Sequence, residues 1–101
     1  MDLKQAVDRL AKFKTTRGLA DFLRREGHTG HHGGLDCPLH SYFDHVVAST
    51  GSIYVVPSGV KTYVHGGVAE FILFPDVVTR FVHEYDHKKR FKFLALPVEK
   101  V

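Results

Sequence analysis

Histidine is over-represented, with 8 among 101 residues, and imidazole is both a common metal ligand and the side chain that titrates near neutral pH. The sharpest arrangement is His83-Glu84-Tyr85-Asp86-His87, an H-E-x-x-H spacing in a segment whose apolar periodicity predicts a helix. On a helix it sets two imidazoles one turn apart, able to share a zinc ion, with Glu84 placed to activate a metal-bound water for hydrolysis. Such a centre needs a third protein ligand. Only Glu99 remains downstream, and His65 or a loop histidine would be an upstream supplement. The same periodicity turns His83, Glu84 and His87 away from the stripe Val78, Phe81, Val82 and Tyr85, so a solvated helix face also accounts for the motif and is the favoured reading.

A second group of soft ligands, His28-x-x-His31-His32 followed by Cys37-Pro38-Leu39-His40, falls in and after a glycine-rich stretch. A structural zinc on His31, Cys37 and His40, with His28 or His32 completing a tetrahedron, would order that stretch. The spacing matches no standard zinc finger, and a polar loop with Cys37 as a small buried apolar group is the favoured alternative. Cys37 near a helix N-terminus is also a candidate thiolate stabilised by the backbone dipole. The expectation is therefore no cofactor, with zinc as the alternative. No phosphate-binding glycine loop is present, because Gly30 to Gly34 lack a preceding strand and a Lys-Ser/Thr ending.

A third pattern is cationic. His87-Lys88-Lys89-Arg90-Phe91-Lys92-Phe93 interleaves positive charge with rings, Arg24-Arg25 closes a predicted helix, and Lys61 sits near the tip of a predicted hairpin. Arg24, Arg25, Lys61, Lys88, Lys89, Arg90 and Lys92 are the candidate binding residues: they can release counterions from phosphates while exposed rings stack on bases. The competing explanation is cations that complement a helix dipole, with Phe91 and Phe93 alternating into the core.

These groups need elements to carry them. Leu3, Ala6, Val7, Leu10 and Phe13 recur at three- and four-residue steps and predict a helix from Asp2 to Phe13. Thr15 or Thr16 caps a second helix, which buries Leu19, Ala20, Phe22 and Leu23 and stops at Gly27. Gly27 to Gly34, without an apolar residue, read as a loop. Asp36 caps a third helix with Pro38 in its first turn and Leu39, Tyr42, Phe43, Val46 and Val47 on one face up to Gly51. Ser52 to Pro57 and Val60 to His65 read as a hairpin about Ser58-Gly59, with Val68 to Phe74 a candidate third strand. Pro75 and Asp76 open a helix that turns Val77, Val78, Phe81, Val82 and Tyr85 inward, and Phe91 to Leu96 form a last extended segment.

The fold class expected is α+β in a single domain over residues 1–101: three N-terminal helices, a short antiparallel hairpin or small sheet, one further helix and a C-terminal extended segment. Three helices and a hairpin are also the order of a winged helix-turn-helix. Gly27 to Asp36 are too long for its turn, however, and the helix in the reading position, Leu39 to Ser49, carries Asp44 and no Lys or Arg.

Composition narrows the function classes. A chain that is 44% hydrophobic and 25% charged, with 9 Gly and 4 Pro, is not a disordered, collagen-like or coiled-coil one. Lone Cys37 excludes an internal disulfide and points to a reducing compartment, hence a cytoplasmic expectation. No apolar run approaches the roughly 20 residues that cross a bilayer, and Met1-Asp2-Leu3-Lys4-Gln5 does not open a signal peptide. The net charge of +3 permits an acidic partner without announcing one.

Ala20-Asp21-Phe22-Leu23, Gly27-x-x-Gly30, Cys37-Pro38-Leu39-x-x-Tyr42-Phe43 and Val78-x-x-Phe81-Val82-x-x-Tyr85-Asp86, in this order and spacing, resemble small uncharacterised proteins of actinobacteria and their phages. Cys37-Pro38, Tyr42 and the Phe81-Val82-Asp86 set match that pattern, whereas His31, His32, His40 and His87 stand outside it. The resemblance implies a small phage-encoded or actinobacterial accessory protein of no established activity, and carries no catalytic residues over. The function expected is binding of a host protein or nucleic acid, with no membrane partner. The alternatives are a zinc-dependent hydrolase using His83, Glu84 and His87, or a structural zinc domain.

Overall fold

The computed structural model describes residues 1–29, 37–47, 52–64 and 67–94. The order is α1 (Leu3–Leu10), α2 (Thr16–Arg25), α3 (Pro38–Val46), β1 (Ser52–Val56), β2 (Gly59–Val64), β3 (Gly67–Leu73) and α4 (Asp76–Asp86), closed by a 3-10 turn at Lys92–Leu94. This is the expected α+β arrangement, with the hairpin extended to a three-stranded antiparallel sheet of order β1-β2-β3.

The helix ends follow from local hydrogen bonding. Asp2 and Gln5 form a capping box at α1: the Gln5 N–H donates to Asp2 Oδ1 at 2.7 Å and the Asp2 N–H to Gln5 Oε1 at 2.9 Å. α1 stops at Leu10, short of Phe13, whose ring instead packs 5.0 Å from that of Phe22. At α2 the hydroxyl of Thr15, not Thr16, accepts from the Gly18 N–H at 3.0 Å. Gly27 closes α2 with φ +78°. Its N–H reaches Arg24 O at 3.0 Å and the His28 N–H reaches Leu23 O at 2.8 Å, a Schellman pair that needs the left-handed backbone glycine adopts freely.

Three expected boundaries move. The α3 cap position is held by Cys37, without a side-chain bond, and not by Asp36, which lies outside the described residues; α3 ends at Val46, well before Gly51. The hairpin loop is Pro57-Ser58, because Val56 pairs with Gly59. Gly59 belongs to the strand for a steric reason: a Cβ there would lie 2.6 Å from Ile72 O and 2.8 Å from Phe71 Cζ. The expected extended segment from Phe91 is a 3-10 turn over Lys92–Leu94, while Ala95 and Leu96 lie outside the described residues.

One core gathers every element. Leu10, Leu19, Leu23, Leu39, Tyr42, Phe43, Val60, Val78, Phe81, Tyr85 and Leu94 are fully buried, and burying a side chain of this size contributes about 1.5–3 kcal/mol. The Tyr42 hydroxyl donates to Ala6 O at 2.9 Å, which fastens α3 to α1 and satisfies the one polar atom of that ring. Ile53, Val55, Val60 and Thr62 form the inner face of the sheet against the helices. No described helix is long and apolar enough to cross a membrane.

Candidate functional site

His83 on α4 and His87, which caps the C-terminus of that helix, are exposed one turn apart, their ring centroids separated by 5.0 Å. Glu84 between them faces elsewhere. Its carboxylate accepts the Thr16 hydroxyl at 3.2 and 3.1 Å and pairs with Nη1 of Arg90, and its side chain is only 15% exposed. The acid that would activate water is therefore bound as a strut between α2, α4 and the segment after α4. Glu99 and His65, the third ligands considered, lie outside the described residues, and among the described residues no three His, Cys, Asp or Glu side chains converge on one point.

The second cluster separates into structural roles. His31 and His32 lie outside the described residues. His40 Nε2 donates to Ile53 O at 2.8 Å, so α3 is pinned to β1, and its Nδ1 lies 3.4 Å from Asp44. Cys37 is buried at the start of α3, and burial pushes its thiol up to about 11, outweighing the backbone N–H groups of His40 and Leu39 that favour the thiolate. The expected dipole-stabilised nucleophile is thus an inert buried thiol.

His28, read from the sequence as part of an apolar-free loop, is instead a core residue, 4% exposed. Its ring meets those of Tyr42 and His45 edge-on at 5.5 and 5.7 Å, and its Nδ1 lies 3.2 Å from Ser41 Oγ. Burial first, then the nearby His45, lowers its affinity for a proton, with Glu26 opposing.

The cations collect on a different surface. Along α2, Arg17 and Arg24 stand two turns apart, and both guanidinium carbons lie over the Phe93 ring, at 5.5 and 5.3 Å from its centroid. Arg17 also pairs with Asp21 at 3.2 Å. α2 packs on α4 and on the 3-10 turn, which brings Arg17 and Arg24 against Phe93 in the segment that carries Lys92. Arg90 is engaged with Glu84, whereas Arg25, Lys88, Lys89 and Lys92 are exposed and form no ion pair among the described residues. Lys89 and Phe91 hold left-handed backbone, φ 52° and 61°, unusual for side chains of this bulk. The buried Phe91 ring, stacked 5.6 Å from Phe81, fixes that shape.

Lys61 follows the Pro57-Ser58 loop by three residues. It lies in the central strand, opposite Tyr54 on β1 and Phe71 on β3, with its ammonium 5.4 Å from the Tyr63 ring centroid. Together Ser52, Tyr54, Val56, Lys61 and Tyr63 line an open concavity of about 470 Å³ on the outer face of the sheet. Sequence reasoning missed this face and the Arg17–Phe93–Arg24 stack. A signal for the face was present: Ile53 to Val56 are apolar or aromatic at every position, so whichever way the strand turns, one such row is left outward.

The chain matches no family model, no curated protein and no solved structure.

Proposed function

We propose that this chain is a small non-enzymatic accessory protein of the cytoplasm that binds nucleic acid without reading its sequence, in line with the role implied by its resemblance to small actinobacterial and phage proteins. The basic surface where α2 meets the segment after α4 supplies the phosphate contacts, through Arg24, Arg25, Lys88, Lys89 and Lys92, with Arg90 bracing the segment. The observation that carries this reading is the pair of guanidinium groups over the partly exposed Phe93, which sets the α2 cations Arg17 and Arg24 against the segment that carries Lys92. Clustered cations gain affinity by releasing condensed counterions. The left-handed backbone at Lys89 supports it too, since strained conformations tend to be held at functional segments.

The test is fluorescence anisotropy of labelled duplex and single-stranded oligonucleotides over a salt series. Affinity should fall log-linearly with salt, by about 0.9 in slope per phosphate engaged on duplex DNA. The double variant Lys88→Gln/Lys89→Gln should weaken binding and flatten the slope by roughly one for each phosphate no longer engaged. Absence of binding at low salt would overturn the reading and move attention to a host protein as partner.

A further inference from the structure

Resting on the reading that nucleic acid is the partner, we infer that the outer face of the sheet is a stacking platform for unpaired bases, so that the protein prefers single strands to duplex. Three rings occupy this face. Tyr54 and Tyr63 meet edge to face, 5.2 Å between centroids. Phe71, 46% exposed, comes so close to bare Gly59 that its Cζ would lie 2.8 Å from a Cβ added there. Leu73 and Val68, 69% and 55% exposed, extend the apolar surface along β3.

Charge selects the occupant. The register places Ser52, Tyr54, Val56, Gly59, Lys61, Tyr63, Phe71 and Leu73 on this side, and among these described residues the ionisable side chain that carries charge at neutral pH is Lys61. Glu70 pairs with inward-facing Thr62 and so belongs to the opposite side. A second copy of the same face would therefore offer Lys61 no carboxylate and would set lysine against apolar surface. An unpaired strand supplies both missing partners, a phosphate for Lys61 and flat bases for the rings. Duplex DNA supplies the phosphate but keeps its base faces stacked on one another.

The experiment compares three probes of equal length on the full chain: oligo-dT, an abasic strand with the same phosphates, and a duplex. Oligo-dT should bind at least about tenfold more tightly than the abasic strand, since each base–ring stack is worth about five- to a hundredfold. Tyr54→Leu and Phe71→Ser should each erode that preference while leaving affinity for the abasic strand unchanged, which also reports that the variants are folded. In spectra of the unmodified protein, oligo-dT should move the ring signals of Tyr54 and Tyr63 and spare those of buried Tyr42 and Tyr85. Equal affinity for oligo-dT and the abasic strand overturns the platform while phosphate binding at the basic surface stands. A preference that survives both substitutions overturns it as well. Failure of all three probes at low salt removes the underlying reading along with it.

Discussion

The two faces of the sheet are made from similar residues and meet different fates. Along β1, Ile53 and Val55 are buried against the helices, while Tyr54 and Val56, one position out of phase, are turned away from them. The strand chemistry barely distinguishes the rows; the covering layer does. The helices bring their apolar stripes to the inner side, so the inner row is held by packing and the outer row is left available to a ligand. The same division holds for polar groups: His28 and Glu84 serve the interior, and Lys88, Lys89 and Lys92 face solvent.

Substitutions on either side can break or sharpen this contrast. Ile53→Ala should cost about 2–5 kcal/mol in urea-induced unfolding, because it opens a cavity beneath the sheet. Gly59→Ala should cost about 1–3 kcal/mol, as the new methyl must displace the Ile72 carbonyl or the Phe71 ring. If it proves neutral, the close approach of β3 to β2 does not constrain the outer face. Glu84→Gln, which keeps an acceptor for Thr16 but removes the charge facing Arg90, should lower stability by about 1–2 kcal/mol. His83→Ala on the solvated side should stay within about 0.5 kcal/mol.

The buried histidine yields a pH signature. The folded-state pKa of His28 is lowered, chiefly by burial, from an ordinary value of 6.5, so the unfolded chain binds the proton more readily. Its contribution is fully present above that ordinary value and is lost as pH falls from there through the folded-state value. Unfolding free energies at about pH 7.5 and about pH 5.5 should differ less in His28→Gln than in the unmodified protein. An unchanged difference would assign the slope to the surface histidines. A small effect is also expected at Tyr54→Leu, next in sequence to Ile53, which should change stability by less than about 1 kcal/mol. A larger loss would mean that the outer row is itself part of the core.

Much of the fold was legible because the helices carry their signals locally. The stripe Leu3, Ala6, Val7, Leu10, a threonine cap at position 15 or 16 and the stop at Gly27 need no knowledge of the rest of the chain. What was not legible depended on neighbours distant in sequence. Gly59 reads as a turn residue until Phe71 and Ile72 are seen to press on it. His28 reads as loop until Tyr42 receives it. The H-E-x-x-H spacing was correctly placed on a helix, but Glu84 was given its orientation by Thr16 and Arg90, which no local pattern contains. The cations are legible from their interleaving with rings, whereas Phe93 as their common support, and Arg17 among them, depends on α2 meeting the 3-10 turn at Lys92–Leu94.

The Thr16–Glu84 bond joins residues 68 apart in sequence, and this separation orders the assembly of the molecule in time. β1 and β2 are joined by the two-residue loop Pro57-Ser58, so this hairpin can pair early, on the scale of microseconds. The α2–α4 seam must await closure of the whole intervening chain. If the seam forms after the folding transition state, loosening it with Thr16→Val should hasten unfolding in a chevron experiment while leaving the refolding rate nearly unchanged.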